Sequence, residues 1–272
     1  MPTESRALSR VDGPNNQLLG SLDPDVYRRL ASQLELVPMI RDQSICLPGS
    51  KLSHAYFPVS CVISLVHMLE GGATGESAVI GNEGMLGVAI FTGGYTMATE
   101  ASVQIEGNAY RVSAEALMDE FNRSESTRNH LLRYTLALFA QTSQTAVCNR
   151  HHSVQQRLCR RLLLTLDRLP GNELHLTQEQ IAITLGVRRE GISEAASRLQ
   201  SVGLITYKRG KITVLDRNGL EAYACECYQV VKEECERLEN TPALPRKQHP
   251  YSVERRRRVR PPPPEVTRLP RH

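Results

Sequence analysis

The stretch from Leu176 to Lys211 constrains the fold of this chain more than any other part of it. Its sequence is LTQEQIAITLGVRREGISEAASRLQSVGLITYKRGK. Thr177 followed three residues later by Gln180 has the spacing of a capping box, which marks the start of a helix. Gly186 can adopt the positive φ of a sharp helix exit, and apolar residues then resume at helical spacing. The stretch therefore predicts two short helices joined by a glycine turn, a helix-turn-helix.

A short hairpin is predicted directly after the second helix. The segment LITYKRGKITV, which begins at Leu204 and ends at Val214, is rich in β-branched and aromatic residues. Arg209-Gly210 divides it into two halves, as expected of a tight turn between two strands. We interpret this segment as a β-hairpin wing that follows the helix-turn-helix.

The positions of the basic residues indicate DNA as the partner. Arg188 and Arg189 lie in the first turn of the second helix, where the helix dipole disfavours positive charge. A helix that enters the major groove by its N-terminal end presents such side chains to base edges and phosphates. A surface helix pair with ordinary solvated charges is the alternative, and we favour DNA binding. The candidate DNA-binding residues are Thr177, Gln178, Arg188, Arg189, Glu190, Ser193, Glu194, Ser197, Lys208, Arg209 and Lys211.

The segments LTQEQIAITLGVRREGISEAASRLQ and GLITYKRGKITVLD resemble the Crp-Fnr family of bacterial transcription regulators. The resemblance covers about Leu22 to Leu238. It implies a dimeric, sequence-specific DNA-binding transcription regulator and not an enzyme, with an N-terminal β-roll that senses a signal. It also implies a recognition helix at about 188–201, in which Arg189 and Glu190 match a base-reading Arg-Glu pair. Glu194 stands where members of the Crp branch carry an Arg, so the usual target sequence of that branch is not expected.

Short apolar runs with alternating periodicity extend from Ile40 to Val112, and glycines separate them. This pattern favours a β-sandwich or barrel, in agreement with the β-roll that the resemblance implies. The predicted fold class is α+β: an N-terminal antiparallel, jelly-roll-like β-roll, a long dimerisation helix and a C-terminal winged helix-turn-helix. The candidate strands are Ser44–Leu47, Ala55–Pro58, Val62–Leu69, Glu76–Ile80 and Ser102–Glu106.

A long helix is predicted between the two domains, from about Ser124–Ser126 to Asn149. Its apolar, small and β-branched side chains cover a face wider than one core-facing stripe, which would allow a second helix to approach closely. We interpret it as the dimer helix, and a single buried helix is the alternative. The candidate dimer residues are Leu131, Thr135, Leu138, Thr142 and Thr145.

Three further helices follow from the apolar periodicity. Asp23 and Pro24 begin the first, whose apolar stripe of Val26, Leu30, Leu34 and Val37 is predicted to end at Pro38. A second spans Gln155–Leu169 with four leucines facing inward and three arginines outward. A third is predicted as one continuous helix after Asp216. The arginines expected to face solvent are Arg157, Arg160 and Arg161.

The segment Ile80–Gly87, IGNEGMLG, lies where related sensors bind the phosphate of a cyclic nucleotide. Backbone N–H groups of such a turn can hold an anion. However, no Arg occurs between Arg41 and Arg111, so a phosphate would lack its bidentate partner. We expect the glycines to form a β-roll corner and no cyclic nucleotide to bind. The candidate effector-turn residues are Gly81, Glu83, Gly84 and Gly87.

The seven cysteines show no disulfide-like spacing. Cys46 and Cys61 are too sparse for an iron–sulfur cluster. Cys225 and Cys227 are two residues apart on a predicted helix, so they should point in different directions. His151 and His152 have no carboxylates at ligand spacing. The sequence therefore predicts no metal site and no cofactor.

The formal net charge of +4 is concentrated in the C-terminal tail, because residues 241–272 contain nine Arg or Lys and two Glu. The expected DNA-binding signal is thus a local patch. No apolar run approaches the ~20 residues of a membrane span, so we expect a cytoplasmic protein. The predicted organisation is a flexible N-terminus at 1–21, a β-roll sensor at 22–123, a dimerisation helix at 124–150, a winged helix-turn-helix at 151–239 and a disordered basic tail at 240–272.

Two alternative functions are weaker. A cupin-like enzyme needs several His ligands with a carboxylate, and the β-roll region offers only His54 and His67. A β-roll interaction module without DNA-directed regulation would leave the basic hairpin and the arginine pair unexplained. The expected partners are double-stranded DNA and a second copy of the chain, with RNA polymerase as a further candidate and no membrane.

Overall fold

The glycine-separated apolar runs of the first half form a β-roll of two antiparallel sheets in the computed structural model, which describes residues 15–239. One sheet has the strand order β1-β7-β3 and the other β2-β6-β4-β5. All five predicted strands are confirmed to within two residues at each end. The strands of the roll are β1 (Glu35–Met39), β2 (Ser44–Cys46), β3 (His54–Pro58), β4 (Val62–Met68), β5 (Thr74–Ile80), β6 (Glu100–Ile105) and β7 (Gly107–Ser113).

The space between the sheets is filled by large apolar side chains such as Phe57, Ile63 and Leu117, each almost completely buried. Helices close the roll at its ends and along one side. They are α1 (Gln17–Gly20), α2 (Pro24–Ala31), α3 (Val88–Phe91) and α4 (Ala114–Arg123). Ser113 caps α4, since its hydroxyl accepts a hydrogen bond from the amide of Ala116.

The prediction that one helix continues from Asp23 to Pro38 is wrong. The helix α2 ends at Ala31, and the next residues form β1. Leu34 and Val37 fit helical spacing, but Val37 precedes a proline and is restricted to extended backbone. β1 is an edge strand that pairs only with β7, in the register Pro38 opposite Asn108. An edge position tolerates the missing N–H of proline.

The first residues described, which belong to the segment predicted as a flexible N-terminus, make contacts with the β-roll. Asn16 is fully buried and caps α1, and its side-chain amide donates to the carbonyls of Pro58 and Gly84. Leu18 and Leu19 are buried in the core of the roll. Residues 16–20 therefore pack as part of the β-roll. The expectations for residues 1–14 and for the tail at 240–272 lie outside the described residues.

The long helix α5 (Glu125–His151) is confirmed, with Ser124 as its N-cap. It runs along α4 and β5 and continues to the C-terminal domain. That domain contains α6 (Val154–Leu166), α7 (Gln178–Leu185), α8 (Arg189–Ser201), α9 (Arg217–Tyr223) and α10 (Cys227–Glu239). Its sheet has the order β8-β10-β9, with β8 (Glu173–His175), β9 (Ile205–Lys208) and β10 (Lys211–Val214).

The three arginines of α6 do not face solvent, contrary to the sequence expectation. Arg157, Arg160 and Arg161 are each less than 9% exposed. The reason is that α6 is covered on both sides. Its leucines pack against α8 and α9, and apolar residues of the β-roll such as Val62 and Val79 join the same core. An amphipathic pattern indicates which face is apolar, but here the polar face is also buried.

The last predicted helix is two helices. The backbone of Ala224 is extended, with φ −74° and ψ 160°, and separates α9 from α10. Asp216 caps α9 as predicted, because its carboxylate accepts from the amide of Gly219. The apolar periodicity runs through the break and therefore does not reveal it. The interruption changes the directions in which the side chains of Cys225 and Cys227 point.

Candidate nucleic-acid interface

Local hydrogen bonds fix the two helices of the helix-turn-helix as the sequence predicted. The Gln180 amide donates to the Thr177 hydroxyl over 3.1 Å, and the Thr177 amide donates to the Gln180 side-chain oxygen over 2.9 Å. Gly186 ends α7 in the left-handed region, with φ 61° and ψ 41°. This conformation favours glycine and gives the sharp exit between the helices.

The apolar faces of α7 and α8 are turned toward α6. Ile181 and Leu185 of α7 and Ile192, Ala196 and Leu199 of α8 are all buried in one core. Since this stripe holds α8 against the domain, the opposite face of α8 is left exposed. The exposed face of α8 is thus held in place by the packing of the opposite face on the domain core.

The predicted arginine pair lies at the N-terminal end of α8. Arg188 is the N-cap residue, in extended backbone and without a side-chain capping bond, and Arg189 is the first helical residue. Both are exposed, as is Glu190. Within residues 15–239, neither Arg188 nor Arg189 takes part in an ion pair. Two cations therefore stand at a helix N-terminus without an ion-pair partner in the described part of the chain.

The remaining predicted residues of α8 differ in their engagement. Ser193 donates to the side-chain oxygen of Gln178 over 2.6 Å, which ties α8 to the start of α7. Glu194 accepts from Arg198 over 2.6 Å, and both side chains are 66% exposed. Ser197 is exposed beside them. The sequence left two roles open for Glu194, accepting from a cytosine or holding Arg198 at i+4, and the structure displays the second arrangement.

The wing is a two-residue hairpin. Arg209 and Gly210 have φ of 53° and 78°, so both central residues are left-handed, as in a type I′ turn. Lys208 and Arg209 are exposed at its tip. Lys211 pairs with Glu173 of β8 over 2.8 Å, and this hydrogen bond holds the pKa of the Glu173 carboxyl below its usual value.

The helix-turn-helix and the wing meet around one open depression. It is lined by Thr177, Gln178, Glu179, Arg189, Arg209, Gly210 and the half-buried Tyr207. The Tyr207 hydroxyl donates to the Leu176 carbonyl over 2.8 Å, so it fixes the wing to the start of α7. Residues predicted separately from two motifs are thus brought to one surface. Such a surface, cationic and led by a helix N-terminus, is suited to a DNA groove.

Residues 156–223 match the family model of the Crp-like helix-turn-helix domain. The chain carries a Crp-like helix-turn-helix domain. The resemblance drawn from the sequence is confirmed, and with it the class of DNA-binding transcription regulator. A search of curated proteins found no significant match.

Solved structures of Crp/Fnr regulators share the fold of 71–77% of this chain. One is a protein described as a transcriptional regulator of the Crp/Fnr family from Eubacterium rectale, with a TM-score of 0.60 at 19% identity over 77% of this chain and 98% of its own. The c-di-GMP-responsive global regulator CLP of Xanthomonas campestris gives 0.57 at 17% identity, over 71% and 100%. A protein described as a cAMP-binding regulatory protein from Silicibacter pomeroyi gives 0.55 at 22% identity, over 77% and 95%. These likenesses confirm the predicted α+β fold class.

The candidate effector turn is occupied by side chains of the protein itself. Glu83 accepts from the Gly81 amide over 3.0 Å and from Arg168 Nε over 2.7 Å. A Cβ on Gly84 would lie 2.3 Å from the ring of Tyr134, so this glycine is needed for close packing on α5. Gly87 has φ 131°. Arg168 is the cation that sequence reasoning missed, since it comes from the segment after α6 and is distant in the chain.

A cavity of about 270 Å³ lies beside the effector turn. Glu83 and Arg168 line it together with His130, Tyr134 and Gln141 of α5. Burial lowers the pKa of His130. The cavity connects the turn, the long helix and the end of α6. That cyclic nucleotides do not bind stays a prediction, because the cavity holds both a cation and polar groups.

The long helix α5 has an inner and an outer face. Leu131 is 1% exposed in the β-roll core, and Leu138 packs against that core. Thr135, Thr142 and Thr145 are half-buried, and each donates its hydroxyl to the carbonyl four residues earlier. The predicted dimer residues therefore lie on the inner face and its flanks. The apolar residues that are exposed form the outer stripe: Leu132, Leu136, Phe139 and Val147.

The cysteines of the C-terminal domain are closer together than the sequence indicated. Cys148, Cys225 and Cys227 are buried and in contact. The expectation that Cys225 and Cys227 point apart is wrong, because it rested on a continuous helix. The hydrogen bond from Cys225 holds the pKa of the Cys148 thiol below its usual value, whereas burial raises the pKa of Cys227.

No helix within residues 15–239 combines the length and apolarity that a membrane crossing requires.

Proposed function

We propose that this chain is a dimeric regulator of transcription that places α8 in the major groove of double-stranded DNA and the wing on the adjoining backbone. The observation that carries the proposal is the pair of exposed, unpaired arginines at the N-terminal end of α8. In a folded protein without a polyanionic partner, this position is unfavourable for positive charge. Contact with phosphates and guanine edges would make this position favourable for positive charge.

Each residue of the interface has a role that its placement supports. Arg189, at the first position of α8 and facing the depression, is placed to donate two parallel hydrogen bonds to guanine O6 and N7. Arg188 precedes the helix and does not line the depression, which suits contact with a phosphate. Glu190 can accept from a cytosine amino group. Lys208 and Arg209 on the wing tip would contact phosphates on the neighbouring strand.

The outer stripe of α5 supports the second part of the proposal, a homodimer. Leu132, Leu136, Phe139 and Val147 are between 45% and 67% exposed and lie at helical spacing on one face. A contiguous apolar face on a 27-residue helix is typical of a helix–helix interface. A two-fold axis along this stripe would place two recognition helices on successive half-sites of a palindromic operator.

Contacts between the β-roll and the helix-turn-helix support a sensing role. Thr74 of β5 donates to the Ile183 carbonyl of α7 over 3.5 Å, and Gln180 donates to Asp42 over 3.2 Å. A change in the β-roll would therefore reach α7, and through it α8, directly. Contact with RNA polymerase, a cytoplasmic location and the lack of catalytic activity are further parts of the proposal.

The DNA-binding part is tested by selecting duplexes from a random pool with the full-length protein. The selected operator and a scrambled duplex of equal length are then titrated by fluorescence anisotropy at several salt concentrations. We expect tighter binding to the operator by at least about 10³-fold at physiological salt, the low end for specific regulators. Equal affinity for both duplexes at every salt concentration would contradict sequence-specific binding.

The dimer is tested by light scattering on the full-length chain and on two matched variants. Leu136→Glu places a charge in the outer stripe and should yield monomers. Leu47→Glu changes a leucine that is equally exposed but follows β2, and should leave the dimer intact. A monomeric wild-type protein, or dissociation by both variants, would contradict an interface on this stripe.

A further inference from the structure

Four potential metal ligands converge where the end of α5 meets the start of α10. They are Cys148, His152, Cys225 and Cys227, and their ligand atoms all lie within 4.8 Å of one another. The three cysteines are buried, and the His152 side chain is 15% exposed. Cys148 Sγ lies 3.5 Å from Cys225 Sγ, and His152 Nδ1 lies 3.5 Å from Cys227 Sγ.

We propose that these residues form a Cys₃His site for a single thiophilic divalent cation, with Zn²⁺ as the ion that fits best. Tetrahedral Zn²⁺ with Zn–S bonds of ~2.3 Å separates its ligand atoms by roughly 3.8 Å. The observed separations, from 3.5 Å to at most 4.8 Å, bracket this value. Small side-chain movements would therefore bring the four ligand atoms to the distances that Zn²⁺ requires. Four protein ligands of this type leave no open position, as in structural zinc sites.

The chain positions the ligands in two pairs. Cys148 and His152 are four residues apart, at the last turn of α5 and its C-cap, so they share one side of the helix. Cys225 and Cys227 flank Glu226 at the break between α9 and α10. In non-helical backbone, residues two apart can point to the same side. The break between α9 and α10 thus allows Cys225 and Cys227 to join Cys148 and His152 in one cluster.

Outer hydrogen bonds hold the ligands in a form that can bind a metal. Nε2 of His152 lies 3.3 Å from the Glu226 carboxylate. A proton on Nε2 would leave the lone pair of Nδ1 directed at the cysteines, the carboxylate–histidine arrangement of many zinc sites. The Gln144 side-chain amide donates to Cys227 Sγ over 3.0 Å, and would stabilise a thiolate there.

Buried positive charge next to the site favours an anionic centre. Arg157 and Arg160 are 8% and 6% exposed. Within the described range they bond to neutral oxygens only, namely the Leu185 carbonyl and the Thr145 hydroxyl, and form no ion pair. Thr145 lies one turn before Cys148 in α5, so its hydrogen bond with Arg160 brings that guanidinium close to the site. Three thiolates with one Zn²⁺ carry a net negative charge, which would offset these arginines.

Metal binding here involves no change of oxidation state. Each thiol that coordinates loses its proton to solvent, and Zn²⁺ exchanges water for sulfur and nitrogen ligands. The bonds would tie the end of α5 to the start of α10 and so fix the winged helix-turn-helix on the long helix. The site does not depend on the DNA-binding proposal.

The test is metal analysis of full-length protein purified under reducing conditions. We expect one zinc per chain and no acid-labile sulfide, and replacement by Co²⁺ should give the visible bands of a tetrahedral thiolate complex. Cys148→Ser and Cys225→Ser should each abolish stoichiometric binding. Cys46→Ser changes a buried thiol in β2, outside the site, and should retain the ion. Glu226→Gln should weaken binding by about 10–100-fold, as loss of a supporting carboxylate typically does.

Three results would overturn the proposal. The first is reduced, folded wild-type protein that takes up neither Zn²⁺ nor Co²⁺. The second is a Cys148–Cys225 disulfide in the protein isolated without reductant, combined with no metal uptake after reduction, which would indicate a redox pair. The third is more than one iron with sulfide per chain. Circular dichroism and binding to random duplex show whether each variant is folded, so that loss of metal is not confused with unfolding.

Discussion

The helices α6 and α8 are each 13 residues long and each has arginines on its polar face, yet they use them in opposite ways. Arg161 of α6 is 3% exposed and donates to Glu76 of β5 over 2.9 Å. Arg189 of α8 is exposed and has no acidic partner in the described residues. One arginine joins two domains, and the other is left for an external anion.

The difference follows from what lies opposite each helix. α6 is enclosed between the β-roll and the rest of the winged helix domain, and its Arg161 donates to Glu76, Gln104 and Thr165. Burial raises the pKa of Glu76, while the charge of Arg161 opposes that rise. α8 lies at the edge of the domain and faces solvent. The same residue type is therefore structural in one helix and available for binding in the other.

The largest effect is expected from breaking the buried pair in α6. Arg161→Met should reduce the free energy of unfolding by about 3–5 kcal/mol, because Glu76 would be left as an uncompensated buried charge. Arg198→Met, which changes an exposed arginine of α8, should remain within about 0.5 kcal/mol of wild type. Urea unfolding followed by circular dichroism measures both.

The double variant Glu76→Gln with Arg161→Met sharpens this test. It removes both charges, so it should recover a large part of the stability lost in Arg161→Met alone. If the double variant is as unstable as the sum of the two single variants, Glu76 and Arg161 are not coupled. The contrast between the two helices would then rest on burial alone.

In α8, the largest effect should come from Arg189 and should appear in binding and not in stability. Arg189→Ala should weaken binding to the selected operator by ~1–3 kcal/mol and change affinity for random DNA little. Competition titrations with both duplexes measure the two affinities. Equal losses on both duplexes would indicate that another residue reads the bases. Ser197, which is exposed on the same helix, would be the next candidate.

Arg188 provides the matched comparison one residue earlier. It precedes α8 and should contact a phosphate, so Arg188→Ala should weaken operator and random duplex by similar factors. The slope of log affinity against log salt should fall by roughly one, because one fewer counterion is released. An operator-specific loss in Arg188→Ala would show that the two arginines have exchanged roles.

The features that sequence reasoning found are those fixed by neighbouring residues. The bonds between Thr177 and Gln180 and the Arg209-Gly210 turn depend on spacing and on φ alone, and both were predicted. The strand at Pro38 depends on β7, which lies some 70 residues away in sequence. The burial of Arg161 depends on Glu76, and the convergence of the cysteines depends on α5. Such distant partners leave no signal in the neighbouring sequence. Apolar periodicity alone therefore predicted a helix that continues to Pro38 and a solvent-exposed face that carries Arg161.

The smallest effect concerns Glu194 and Arg198, the exposed ion pair of α8. An i,i+4 pair of this kind contributes about 0.3–0.5 kcal/mol, so Glu194→Gln should barely change the urea midpoint. Its effect on DNA discriminates between two roles. If Glu194 only holds Arg198, then Glu194→Gln and Arg198→Ala should leave the preferred base pairs unchanged, and Glu194→Gln should tighten random binding slightly because a negative charge near phosphate is lost. If Glu194 accepts from a cytosine, repeated selection with Glu194→Gln should relax one operator position that Arg198→Ala retains. The Glu194–Arg198 bond favours the first outcome, since the carboxylate already has a partner on its own helix.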